Sequence, residues 1–467
     1  MSATRENVAK NWVLVLTSAA SFMVALDALV VTTALTTIRL DLSASVEALE
    51  WTVNAYGLTF AALLLMGAAL GDRFGRRRMF MAGLALFVAA SAACALAGNA
   101  GWLIAARAVQ GVGAALVMPV AMALLGAAFP KEQRAKALGI FGSLTGLALI
   151  AGPVVGGAIA AGLAWQWIFW VNLPIGLAIL ILVRSRIGES FGADTSLDVV
   201  GLLVASGAAF ALVWGLMRAN SAGWASAQVA GSLGMGVLLL AAFIAYEHGA
   251  LAPMVPMRLF ASRGFAAGNA AGFFLYASMY GEVFFLPQFL QTAQGNDPLG
   301  AGLRLLPWTA TLFVFAPIGG ALVNQLGERL LVVTGLTLQS IGFAWIALRA
   351  APDLPYIEIV APLIVAGAGV SMAMPAAQNA VLSSVAPAEI GKASGIFNML
   401  RYFGGVFGVS ILVAAYATTG NFGSADSFTA GFVPAIGIAA ALSLAGAAAG
   451  SLLPGRRAKT APAQANA

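Results

Sequence analysis

Gly67-Ala-Ala-Leu70-Gly-Asp72-Arg73-Phe-Gly75-Arg76-Arg77-Arg78 decides how this chain is read, because a near copy returns in its second half as Gly319-Gly-Ala-Leu322-Val-Asn324-Gln-Leu-Gly327-Glu-Arg329. Gly67, Leu70, Gly75, Arg77, Gly83 and Leu84 map at one constant offset onto Gly319, Leu322, Gly327, Arg329, Gly335 and Leu336. Each copy joins two long apolar stretches through a tight, polar turn that contains glycine. Duplicated halves in a membrane chain are the usual design of a secondary transporter, with the substrate path between the halves.

Composition sets the class. The chain of 467 residues is 61% hydrophobic and 9% charged, with a mean hydropathy of +0.92. A soluble domain cannot hide that much apolar surface, so a lipid bilayer is the expected solvent. Apolar stretches of roughly 20 residues, cut by short polar turns, predict about fourteen helices. The expected spans are 11–38, 47–70, 78–98, 102–126, 135–161, 166–185, 197–218, 228–247, 264–291, 300–325, 329–349, 356–380, 392–418 and 430–453. No segment shows the short alternation of a membrane barrel. The first apolar run is too long for a signal peptide and is kept as a span.

Loop charge alternates. Arg5 and Lys10, Arg73 to Arg78, Lys131, Arg134 and Lys136, Arg184 and Arg186 fall on one side. Arg258 and Arg263, Arg329, Lys392, and Arg456, Arg457 and Lys459 fall there too. The opposite loops are nearly free of Lys and Arg. The positive-inside rule then puts both termini in the cytoplasm, which requires an even number of spans. The net charge of +6 is read as this orientation signal and not as a nucleic-acid footprint. Two six-helix halves need only about 200 residues each, so two helices are surplus. The expected organisation is six helices over residues 1–190, two extra over 191–250, six over 251–455, and a cytoplasmic tail over 456–467.

Further motifs follow in order: Leu103-Ile-Ala-Ala-Arg107-Ala-Val-Gln110-Gly111-Val-Gly113, then Gly139 with Gly152-Pro153-Val-Val-Gly156-Gly157. After these come Trp167-Ile-Phe-Trp-Val-Asn172-Leu-Pro174-Ile-Gly176 and Leu197-Asp198-Val-Val-Gly201. With Gly67–Arg78 and an acid, Asp27, in the first helix, they resemble the major facilitator superfamily, specifically its fourteen-helix drug:proton antiporter family. The resemblance covers nearly the whole chain. It implies a major facilitator fold of two six-helix bundles plus two extra helices in the cytoplasmic membrane. It also implies proton-coupled export of amphipathic drugs, lipophilic cations among them, with no cofactor. The chain departs from the family pattern after Asp27, where Leu29, Thr32 and Thr36 replace the usual Thr, Asn and Pro, and at Ala148, where a glycine is usual.

Charges are costly at bilayer depth, so each asks for a partner or a task. Asp27 is a candidate proton site, or else an acid paired permanently with Arg107 or another donor. Arg107 either couples to that acid's protonation or serves structure through Gln110 and backbone carbonyls. Glu282 lies among Tyr276, Tyr280 and Phe285, where acid and aromatic rings suit an amphipathic cation; an acid facing water near the outer end is the alternative. Arg401 is expected to snorkel to the cytoplasmic surface.

Gly67, Asp72, Arg73, Gly75, Arg76 and Arg77 are read as a gate, in which Asp72 caps a helix or pairs with arginine. Gly139, Gly152, Pro153, Gly156 and Gly157 are read as the antiporter motif, a smooth face where the halves slide.

Several functions are disfavoured. The single histidine, His248, expected in the loop after the eighth span, lacks partners for a metal site. Cys94 is expected in packing, and no GxxxxGK[ST] loop supports ATP drive. A membrane enzyme would want clustered His, Asp or Ser at one surface. A dedicated exporter of one metabolite or antibiotic and an uptake symporter stay open, the second disfavoured by the glycine motif.

Overall fold

The computed structural model describes residues 2–192, 198–251, 253–386 and 389–455. Leu197 and the expected tail over 456–467, with Arg456, Arg457 and Lys459, lie outside the described residues. So do the side chains of Arg5, Lys131, Lys136 and Asn324. Sixteen α-helices and no strand occur among the described residues. They are α1 (Ser2–Asp41), α2 (Val46–Phe74), α3 (Arg76–Ala95), α4 (Ala100–Ala128), α5 (Lys131–Gly162), α6 (Trp167–Trp170), α7 (Asn172–Arg186) and α8 (Val199–Ala222). The rest are α9 (Ala227–Gly249), α10 (Arg263–Gln288), α11 (Pro298–Arg304), α12 (Leu306–Leu326), α13 (Glu328–Arg349), α14 (Tyr356–Leu382), α15 (Ile390–Thr419) and α16 (Ala425–Ser451).

The boundaries have local causes. Ser45, Asn99, Asp198, Ser226 and Asp297 each accept a hydrogen bond from a backbone N–H in the first turn that follows, satisfying a donor the helix leaves orphaned. Ser424 and Ser427 form a capping box at the start of α16. Helix α9 continues through Gly249, so His248 sits in its last turn and not in a loop.

Thirteen spans among the described residues are long and apolar enough to cross a membrane, with α6 and α7 counted together and α11 joined to α12. The fourteenth expected span is α10. It is 26 residues long but falls outside that set because Asn269, Ser278 and Glu282 lower its hydropathy. Nearly all of it is buried by other helices, which is where polar residues in a membrane protein are tolerated.

The repeat read from the sequence is present in backbone and packing alike. Gly75 (φ 105°) ends α2 and Gly327 (φ 83°) ends α12. Both sit at left-handed angles where a side chain would strain the turn. Gly67 and Gly83 lie against α4, and their counterparts Gly319 and Gly335 lie against α14. In the first half α2 and α3 pack on α4, and α1 on α5. In the second α12 and α13 pack on α14, and α10 on α15. Helices α8 and α9 pack on each other, and α8 also touches α2 and α15.

The halves meet toward the arginine-poor end. There Gly157 of α5 lies against the Pro298 backbone, and Gly302 of α11 against the Pro153 backbone. Gln291 Nε2 donates to the Thr33 carbonyl at 2.9 Å, and Asn54 Nδ2 donates to Ser410 Oγ at 2.9 Å. Arg39 lies 4.3 Å over the Phe422 ring. Toward the arginine-rich end of α5, Gly139, Gly142 and Gly146 have open space where a side chain would go, while Ala137 and Phe141 stay packed in the core of the first half.

Candidate functional site

Five helices bring polar groups to one buried cluster in the first half. Asp27 of α1 is 3% exposed and Arg107 of α4 is 1% exposed. Arg107 Nη1 donates to Asp27 Oδ2. Asp27 Oδ1 accepts from Gln110 Nε2 at 3.0 Å and from Asn172 Nδ2 of α7 at 2.8 Å. Arg107 also donates to Gln110 Oε1 at 2.8 Å and to the Thr52 carbonyl of α2 at 3.3 Å. Its guanidinium lies 4.2 Å from the Tyr56 ring centroid. Asn172 reaches Ser91 of α3 at 3.0 Å. Both anion and cation are therefore hydrogen-bonded, as a buried pair must be to offset its desolvation.

The pair stands on a helix, α1, that also reaches the other half through Thr33. Leu29, Val30 and Thr33, within two turns of Asp27, pack against Gly152 and Gly156 of α5. Gly157, next in sequence, touches Pro298 of the second half. Asp27 shares α1 with Thr33, whose carbonyl accepts from Gln291. Gly139, four turns away in open space, takes no part in this contact.

An aromatic ladder continues from Arg107 across the interface. Tyr56 stacks on Phe60 at 6.1 Å, and Phe60 meets Tyr402 of α15 edge-on at 4.2 Å. Tyr402 lies 6.4 Å from Tyr280, which lies 6.3 Å from Tyr276. Arg401 caps this end, 4.4 Å over the Tyr276 ring. It does not snorkel to a surface: it stands three turns inside α15, where aromatic rings hold its guanidinium.

Glu282 departs from its expected setting. It is 1% exposed, and neither carboxylate oxygen has a hydrogen-bond partner among the described residues, so it does not face water. It does not share a face with the tyrosines either. At 3.6 residues per turn it is about 120° from Tyr276 and about 160° from Tyr280, but only about 40° from Ser278. Ser278 bonds to the Ala439 carbonyl of α16 and receives Gln339 Nε2 of α13. Glu282 therefore points into the interior of its own half. Phe285 is fully buried against Phe284 and Tyr416, at 5.0 and 5.1 Å, away from Tyr276 and Tyr280.

The turn over residues 67–78 is tied to the segment after α7. Asp72 Oδ1 accepts from Arg76 Nε at 2.7 Å and pairs with its Nη2 at 2.7 Å. The cap of α3 is Glu189 and not Asp72. Its oxygens accept from Arg77 N at 2.8 Å and Arg78 N at 3.3 Å. Arg77 Nη1 donates to the Ile187 carbonyl at 3.1 Å, while Arg73 lies 5.5 Å over Phe74. No group of His, Cys, Asp and Glu among the described residues could hold a metal ion.

The family model of the Major Facilitator Superfamily matches residues 17–409 and 268–466. The chain belongs to that superfamily. It is a transporter, and the ordered motifs, duplicated turn and paired bundles are its signature. The tetracenomycin C resistance and export protein of Streptomyces glaucescens is 33% identical over 94% of this chain and 83% of its own length. The cephamycin export protein CmcT of Amycolatopsis lactamdurans is 35% identical over 87% of this chain and 86% of its own. The multidrug transporter protein MdtP of Bacillus subtilis is 33% identical over 86% and 74%.

Solved structures share the fold at low identity. A peptide transporter bound to sulfate superposes with a TM-score of 0.69 at 16% identity, covering 95% of this facilitator and 96% of that chain. A bacterial homologue of the human lysosomal transporter Spinster gives 0.68 at 16% identity, covering 95% and 97%.

Several residues of the site escaped the sequence reading. Asn172 was visible only as part of a motif, and nothing in the sequence singled out Tyr56, Phe60 or Tyr402. Glu50 is fully buried in α2, with one oxygen accepting from Asn54 Nδ2 at 3.2 Å and the other lacking a hydrogen-bond partner among the described residues. Its signal was an acid inside the apolar run 47–70, the same signal that singled out Asp27.

Proposed function

We propose that this facilitator exports amphipathic small molecules, drugs among them, across the cytoplasmic membrane in exchange for protons, by alternating access between two six-helix bundles. In this reading residues 1–190 and 251–455 form the bundles, 191–250 adds two helices, and both termini are cytoplasmic. The observation that carries the proposal is the position of Asp27. It is a buried acid held by donors from α4 and α7, on the helix that also touches α5 and the second half.

Protonation of Asp27 removes the charge that Arg107 pairs with, so the tie of α1 to α4 weakens to the neutral bonds that Oδ1 still accepts from Gln110 and Asn172. The α1–α5 surface at Gly152 and Gly156, and the contact of Gly157 with Pro298, then repack. Substrate binding and protonation favour different states, and the gradient supplies the difference. Glu282, without a hydrogen-bond partner among the described residues, is a second candidate proton carrier. In this reading the gate over Gly67–Arg77 acts through the first half, where Asp72 binds Arg76 and Glu189 binds the start of α3. The names of the tetracenomycin C and cephamycin relatives support a narrower second reading, export of one antibiotic.

The test is uptake of a fluorescent drug panel into everted vesicles under an imposed pH gradient. Accumulation abolished by collapsing the gradient is expected. Accumulation that survives collapse and requires ATP would overturn proton drive.

A further inference from the structure

Arg401 differs from the other deeply placed arginine of this facilitator. Arg107 is neutralised by Asp27. Arg401 has no paired carboxylate among the described residues, and its Nε is buried without a hydrogen-bond partner. Its surroundings are aromatic: the Tyr276 ring at 4.4 Å, the Tyr402 ring at 5.3 Å, and Tyr280 beside both. Rings attract a guanidinium, but they do not balance its charge. A carboxylate at the guanidinium would supply the counter-charge that the rings do not.

The acids of the bundle are all committed or turned elsewhere. Asp27 accepts from Arg107, Gln110 and Asn172. Glu282 lies on the far face of α10, about 120° or more from the two tyrosines. Glu50 is ten residues along α2 from Phe60, about 15 Å. Meanwhile Arg401, Tyr402 and Tyr280 are each partly exposed, although they stand at the junction between the halves, where Tyr402 meets Phe60.

We infer that Arg401, Tyr276, Tyr280 and Tyr402 form a subsite for the anionic group of an aromatic substrate. The guanidinium takes a carboxylate or enolate, the partly exposed Tyr280 and Tyr402 rings take the flat body, and buried Tyr276 backs the guanidinium. This rests on the export reading and narrows it, because it replaces lipophilic cations by organic anions as the preferred class.

The test uses three probes with one ring system: pyrenecarboxylate, its methyl ester and pyrenylmethylammonium. Binding to the purified transporter is read by fluorescence anisotropy. The carboxylate should bind about tenfold more tightly than the ester, the scale of one charge-assisted hydrogen bond, and the ammonium more weakly than both. Arg401→Gln should bring the carboxylate down to the ester's affinity and leave the ester unchanged. Arg401→Lys should keep part of the preference, since it retains charge and loses the planar fork.

An ammonium that binds more tightly than the carboxylate to the wild type overturns the inference. So does an absence of carboxylate binding, or an Arg401→Gln protein that keeps the carboxylate preference. Equal loss of all three probes from a monodisperse Arg401→Gln protein assigns Arg401 to packing and overturns it too. If Arg401→Gln does not fold, the wild-type order and Arg401→Lys decide. Everted vesicles separate the two claims. A carboxylate that binds in the expected order but is never moved by a gradient contradicts export and leaves the subsite standing.

Discussion

Asn54 Nδ2 and Ser410 Oγ stand 2.9 Å apart and join α2 of the first half to α15 of the second. Removing that bond with Ser410→Ala should cost the closed arrangement about 1 kcal/mol, a shift of roughly fivefold in population. Spin labels at Leu163→Cys and Thr418→Cys in a Cys94→Ser background report it, because Cys94 is the sole native cysteine. The distance distribution should broaden toward longer values. An unchanged distribution would mean that the bond does not help hold this end closed.

Two glycines of one motif should behave oppositely. A side chain at Gly157 would run into the Pro298 backbone, whereas one at Gly139 would meet open space. Gly157→Val should therefore block closure and abolish transport while the protein still folds. Gly139→Ala should keep transport and gain up to about 1 kcal/mol of helix stability. Equal effects on efflux from both would remove the α5–α11 contact from the mechanism.

The turn after α2 separates a gating role from a capping role. Asp72→Asn weakens the pairing with Arg76 and should strongly reduce transport with expression largely intact. Glu189→Gln removes the charged cap of α3 and should lower stability by about 1 kcal/mol, seen as a lower Tm with transport less affected. Full activity in Asp72→Asn would reduce the turn to a topology signal.

Orientation is open to direct measurement. Accessibility tags at residues 1 and 467 should both report the cytoplasm, and a tag at Ser424 the outside. A cytoplasmic signal at Ser424 would contradict the placement of six, two and six helices.

Much of this arrangement was readable before any coordinates. Gly75 and Gly327 announce matched turns because a tight left-handed bend needs glycine, and that requirement is local. Asp27 and Arg107 stand out because charge inside an apolar run is rare. What was not readable depends on how distant helices meet. Nothing near Asn54 in sequence points to Ser410, and no periodicity says that Phe60 touches Tyr402. Glu282 lies between the two cases. Its neighbours in sequence suggested a shared aromatic site, while helical geometry turns it away from Tyr276 and Tyr280 toward Ser278 and its own bundle.

The most direct measurement compares Asp27→Asn with wild type in proteoliposomes, for gradient-driven efflux and for substrate exchange without a gradient. Asparagine keeps the size and some hydrogen-bonding capacity of aspartate but cannot take up the proton. It leaves Arg107 without its anion, so some loss of stability accompanies it, of the order of 3 kcal/mol if no other group compensates. In the protein that does fold, gradient-driven efflux and proton release on substrate addition should be lost, while exchange persists. Wild-type efflux from a well-folded Asp27→Asn protein would contradict proton coupling through this residue and leave Glu282 to carry it.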